Sequence, residues 1–180
     1  REQALLEAAR GLLTAQPGRV PSLAEVGAVA GLSRSSVYQY YASRDDLLAA
    51  VVADSFPRWQ QRLNAAVAAA DSPRTRILAF LRANLELVAD GEHALARALA
   101  DVAPSEDLAR RSREFHDQLL SPVVDALVEL EAPDPETTSE LVNALLNTAS
   151  RRVEHDGGLE RSYTAAAAVL DAYLRELELG

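Results

Sequence analysis

Residues 22–41 read SLAEVGAVAGLSRSSVYQYY, and this stretch decides the fold. Ser22 and Glu25 form the S-x-x-E pattern of a capping box, in which each side chain satisfies a backbone N–H at the other's position, so a helix starts here. Leu23, Val26 and Ala30 follow at i, i+3 and i+7 and share one face. Gly31 supplies a residue that can turn left-handed after the last turn. Ser33 caps a second helix, read as running to Tyr41, which buries Val37 and Tyr41 at i and i+4. Arg34, Ser35, Ser36, Tyr38 and Gln39 are left facing outward. Two short helices meeting at a glycine turn have the spacing of a helix-turn-helix. The outward set suits a major-groove reader, because Arg can fork onto guanine, Gln onto adenine, and hydroxyls onto base edges or phosphates. Taken alone, the stretch also fits an ordinary αα-hairpin with a wet polar face.

Working outward, a chain of 180 residues has room for one sizeable core or for a small head and a larger body. Apolar residues make up 48%, Gly and Pro number only 8 each, and Ala and Leu dominate, which predicts an all-α fold. The chain has no Cys, excluding a disulfide framework or a thiolate metal site, and a reducing cytoplasm is the expected setting. No apolar run reaches the length of a membrane span. The formal charge of −9 at first argues against a nucleic-acid partner. Its distribution removes the objection, because residues 1–46 carry five Arg against five carboxylates and the whole excess lies beyond them.

The periodicity predicts about nine helices. The first covers Arg1–Gln16, with Leu5, Ala8, Leu12 and Leu13 on one side, and Pro17-Gly18 ends it. Another starts at the Ser43 cap with Asp45 and Asp46 in its first turn, where the helix dipole favours them. Pro57 should kink or end that helix before RWQQRLNAAVAAAD continues helically. Ser72-Pro73 opens the next, followed by a short helix near Glu92–Asp101 and another from Pro104, bent at Pro122. After a loop at 132–135, two long helices, Glu136–Glu154 and Leu159–Leu179, close the chain around Asp156-Gly157-Gly158. The last carries Leu159, Tyr163, Ala166, Ala167, Leu170, Tyr173, Leu174 and Leu177 on one stripe. Such a terminal pair suits a four-helix seam with a second copy, unless the stripe packs inside the monomer. The chain starts at Arg1 without a methionine, which predicts further residues upstream.

No G-x-S-x-G, phosphate-cradling glycine loop or H-E-x-x-H occurs, so no enzyme is expected. His93, His116 and His155 each stand beside a carboxylate, but helical neighbours point apart and no His pair has i, i+4 spacing. No metal and no cofactor are expected. The body does place polar groups among apolar ones, as a small-molecule pocket requires. The candidate ligand-binding residues are Trp59, Phe80, Asn84, Phe115, His116, Leu119, Asn143 and Asn147, each of which also reads as an ordinary core or interface residue.

On the strength of a first helix, then SLAEVGAVAGLSRSSVYQYYASRDDLL, then a helical body, the chain resembles the TetR family of bacterial transcriptional regulators. The motif covers about a quarter of the chain, and the remainder matches in length and layout. The resemblance implies a three-helix DNA-binding head over 1–46, a ligand-binding and dimerisation body over 47–180, and a homodimer through the last two helices. It further implies a palindromic double-stranded operator and release of that DNA by a small-molecule effector. Ser22 falls where the family has a phosphate-contacting Thr or Ser, Ser36, Tyr38 and Tyr40 at recognition-helix positions, and Arg44 in place of the usual phosphate-holding Lys. Val37 stands for the commoner Leu, Tyr41 for Phe, Gly27 for Ala and Tyr40 for His. The expected DNA-binding residues are therefore Ser22, Arg34, Ser35, Ser36, Tyr38, Gln39, Tyr40 and Arg44. The expected function is a ligand-responsive, cytoplasmic transcriptional repressor. The alternative is a helical small-molecule or partner-binding protein whose helix-turn-helix is only structural.

Overall fold

The computed structural model describes residues 1–16, 19–91 and 106–179, over 106–117 for the backbone alone. Among the described residues the chain forms helices and no strand: α1 (Glu2–Ala15), α2 (Leu23–Val29), α3 (Arg34–Tyr38), α4 (Arg44–Ala68), α5 (Pro73–Ala89), α6 (Glu106–Glu129), α7 (Pro135–Asp156) and α8 (Leu159–Leu179). The fold is all-α, as the composition requires. Pro17, Gly18 and the short helix expected near Glu92–Asp101 lie outside the described residues. The chain divides into two compact units, one of Arg1–Arg58 with Gly91–Arg111, the other of Trp59–Asp90 with Ser112–Gly180.

In the first unit α1 packs on α2 and α2 on α3. Leu5, Ala9 and Leu13 of α1, Val26 of α2 and Val37 of α3 are fully buried together with Leu47 of α4. Gly31, at φ +68°, makes the left-handed turn between α2 and α3. Gly27 sets how closely those helices approach: a Cβ there would lie 2.6 Å from Val37 Cγ2 and 3.2 Å from the Leu32 carbonyl oxygen. On sequence grounds Gly27 is only a weak helix former. In the structure it is the residue that admits the branched Val37. Helix α4 passes through Pro57 without ending, and α6 likewise contains Pro122.

In the second unit α5 packs against both α7 and α8, and these against each other. Phe80, Ile77, Leu81 and Leu85 of α5, with Leu127 of α6 and Leu174 of α8, are the large side chains most completely withdrawn from solvent. Arginines of α5 tie its rim to neighbouring helices. Arg76 forks onto Glu129, and Arg82 donates to both Glu160 oxygens at 2.9 and 2.5 Å while stacking 4.8 Å from the Tyr163 ring centroid. Arg74 reaches Asp171 at 2.6 Å. Of the apolar stripe of the last helix, Ala166, Leu170 and Leu174 are buried inside the unit. Its Leu159, Tyr163, Ala167, Tyr173 and Leu177 are half-buried. The opposite face of α8, with Ala165, Ala168, Val169, Ala172 and Leu179, is exposed instead.

Candidate nucleic-acid interface

The capping box at Ser22 forms as its sequence requires. The Ser22 backbone N–H and hydroxyl both donate to Glu25 Oε2 at 2.8 Å, and the Glu25 N–H donates back to the hydroxyl at 3.3 Å. The other carboxylate oxygen, Oε1, accepts from the Arg19 guanidinium. These bonds lower the Glu25 carboxyl to about 2, the Ser22 N–H first, then its hydroxyl, then Arg19.

Ser33 caps α3 through the Ser36 N–H at 3.2 Å, and its hydroxyl also meets those of Ser35 at 3.0 Å and Ser36 at 2.9 Å. Two of the hydroxyls read as outward-facing thus hydrogen-bond within the cap. Arg34 stands at the first helical position and its guanidinium lies 5.6 Å from the Tyr38 ring centroid, while Tyr38 remains 47% exposed.

The α-helix is shorter than the sequence predicted. It ends at Tyr38, with Gln39 as its cap, because the Tyr40 and Tyr41 N–H groups both return to the Val37 carbonyl in a closing turn. Gln39 and Tyr40 are exposed but lie beyond the last helical turn. Tyr41 folds back into the core, 5% exposed, with its hydroxyl on Glu2 at 3.5 Å, and burial followed by the Glu2 charge pushes that phenol up to about 12.

The next helix is capped by a second reciprocal pair. The Ser43 N–H and hydroxyl reach Asp46 Oδ2 at 2.9 and 2.8 Å, and the Asp46 N–H returns at 3.1 Å. This cap leaves Arg44 with half its side-chain surface in solvent, 3.9 Å from Asp45.

These elements enclose a groove of about 520 Å3. Ser22, Arg34, Tyr38 and Arg44 of the sequence-derived set line it, together with Arg19 and Glu25. Ser35, Ser36, Gln39 and Tyr40 are not among its lining residues. Sequence reading passed over Arg19, which precedes the helix and matches no position of the motif. The available signal was its place three residues before the Ser22 cap, within reach of Glu25.

The residues proposed for a ligand are differently placed. Trp59 and Phe80 are buried, at 8% and 2% exposure. Asn84 turns its amide back along its own helix, donating to the Phe80 carbonyl at 2.8 Å. Leu119, Asn143 and Asn147 are half-buried on α6 and α7, while Phe115 and His116 are described for their backbone alone, within α6. Among the described residues no group of three His, Asp or Glu side chains gathers as metal ligands would.

The family model described as bacterial regulatory proteins, tetR family, matches residues 5–51. The HTH-type transcriptional regulator BetI of Brucella anthropi is 27% identical over 133 residues, spanning 72% of this chain and 69% of that protein. A transcriptional regulator from Rhodococcus sp. Rha1 has the same fold, with a TM-score of 0.85 and 19% identity over 97% of this chain and 96% of that one. So does the transcriptional regulator FadR of Bacillus subtilis, solved in complex with stearoyl-CoA, with a TM-score of 0.77 and 14% identity over 94% of this chain and 97% of that one. Residues 5–51, which hold the helix-turn-helix, thus match the tetR family of bacterial regulatory proteins, and the chain as a whole resembles solved transcriptional regulators in fold.

Proposed function

We propose that this chain is a ligand-responsive transcriptional repressor that binds a palindromic operator as a homodimer and is released by a small molecule. The observation that carries this reading is the groove beside α3, where Arg34, Tyr38 and Arg44 stand exposed next to the Ser22 cap. Residues 1–46 form the DNA-binding domain in this reading, with α3 in the major groove. Arg34 and Tyr38 address bases, Ser22 and Arg44 address phosphates, and Ser35, Ser36, Gln39 and Tyr40 take flanking contacts once DNA is present.

Residues 47–180 hold the effector and the dimer seam. The likeness to FadR, a structure holding stearoyl-CoA, supports an elongated apolar effector in the second unit, with Trp59, Phe80, Asn84, Phe115, His116, Leu119, Asn143 and Asn147 as candidate contacts. Leu141 of α7 and Val169 of α8 are each 66% exposed, and their apolar surface supports pairing of these two helices with a second copy. Among the described residues no helix is long and apolar enough to cross a membrane. A DNA regulator of this kind works in the bacterial cytoplasm. The effector acts by binding the DNA-incompetent population more tightly, and its leverage is limited to that difference in affinity.

Selection of binding sites from a random-sequence duplex library tests the reading. Recovery of a two-fold symmetric site, bound in a salt-sensitive way, is the expected result. Recovery of no preferred sequence removes the reading.

A further inference from the structure

We infer that Arg19 is a further DNA-contacting residue, a phosphate clamp for which the Glu25 carboxylate holds the place until a backbone phosphate replaces it. The inference rests on the regulator reading above. Its ground is the division of labour within one carboxylate. Glu25 Oε2 takes both bonds from Ser22 and so closes the helix cap, whereas Oε1 takes the Arg19 guanidinium. Arg19 can therefore leave Glu25 without disturbing the cap. Its other anchor, Gln16 Oε1 at 2.6 Å, is neutral and leaves the guanidinium charge uncompensated once Glu25 is released.

The guanidinium is positioned for this exchange. Its side chain is 55% exposed, so a carboxylate partner adds little stability there. Phosphate presents the same paired acceptor oxygens to the Arg fork as a carboxylate does. The surroundings select for an anionic strand: Arg19, Arg34 and Arg44 line one groove, which is three of the five Arg in residues 1–46. Arg10, by contrast, pairs with Asp54. Glu25 is the one carboxylate among the described residues lining the groove, which therefore carries a local positive excess although residues 1–46 balance overall. By occupying Arg19 and facing the incoming phosphates, Glu25 also holds down affinity for DNA at large.

The test compares wild type, Arg19→Ala and Glu25→Gln on two duplexes of about 30 base pairs, room for two half-sites a helical turn apart. One carries the site recovered by selection and the other a shuffled sequence. Binding is followed by fluorescence anisotropy across a salt series. Gln satisfies the capping box as Glu does, so Glu25→Gln keeps the helix start. Arg19→Ala should weaken binding to both duplexes by a similar factor, about tenfold, and reduce the salt slope by about one per head. Glu25→Gln should tighten binding a few-fold (~2–5) on both.

Opposite signs for the two substitutions establish the clamp. If the two groups only brace each other, breaking the pair from either side weakens binding alike, and that outcome overturns the inference. An unchanged slope in Arg19→Ala also overturns it. Should Arg19→Ala lower the melting temperature, Arg19→Lys decides: it keeps the charge and should keep the wild-type slope, and a slope lowered as in Arg19→Ala counts against a phosphate contact. Tyr38→Ala separates the two levels. If it abolishes preference for the selected site while Arg19→Ala changes nothing, the regulator stands and the clamp falls. If wild type prefers neither duplex, both fall.

Discussion

At Gly27 and Val37 two separate departures from the family's usual residues turn out to be one packing decision. An alanine Cβ at 27 and the Val37 Cγ2 would compete for the same space, 2.6 Å apart. Gly27→Ala is therefore expected to destabilise the protein by about 1–3 kcal/mol through overpacking, despite the gain of about 1 kcal/mol in helix propensity. Combining it with Val37→Ala should cost less than the sum of the single changes. A urea-unfolding double-mutant cycle measures this, and additivity would show that the two sites do not compete.

Glu25 supplies the second residue-scale expectation. Its carboxyl sits at about 2 in the folded chain against an ordinary 4.5, so the proton is taken up more readily on unfolding. The stability it provides is fully present above pH 4.5 and is lost as pH falls from there towards 2. Glu25→Gln should flatten that part of the stability profile in thermal melts across the acid range, whereas an unaltered profile would assign the acid sensitivity to other carboxylates.

Single elements separate what the sequence makes legible from what it does not. The helix starts at Ser22, Ser33, Ser43 and Ser72 were readable because each depends on one hydroxyl and the residues within one turn of it, and all four caps form. The end of α3 was not, because Tyr38–Tyr41 is helix-compatible in pattern and the turn that closes it answers to the burial of Tyr41 against Glu2, far away in sequence. Nor does the periodicity of α8 say which partner covers its stripe. A stripe facing a monomer core and one facing a second copy have the same period, and only the packing of α5 against α8 shows that Ala166, Leu170 and Leu174 face the monomer core. The candidate site was legible in part for the same reason. Ser22, Arg34, Tyr38 and Arg44 belong to local motifs, while Arg19 joins them through the fold. Leu174→Ala should then cost about 2–5 kcal/mol of unfolding free energy as a core truncation. Val169→Asp should leave the melting temperature of the fold nearly unchanged and shift the protein from dimer to monomer in sedimentation velocity. A dimer persisting in Val169→Asp would move the seam to another face.

For the whole molecule, charge and surface follow the proposed division of labour. The formal −9 lies entirely beyond residue 46, while the groove gathers Arg19, Arg34 and Arg44. In the proposed reading DNA contact is confined to a few residues per head, and useful operator affinity requires two heads acting together. A monomeric Val169→Asp variant should accordingly bind the selected operator far more weakly than wild type, though its helix-turn-helix is intact. The most direct test of the central claim is the affinity of wild type and Tyr38→Ala for that operator, measured by anisotropy with thermal melts alongside. The account predicts a loss of about tenfold or more in Tyr38→Ala with no change in melting temperature. Binding by Tyr38→Ala as tight as wild type, on the same two-fold site, would contradict it.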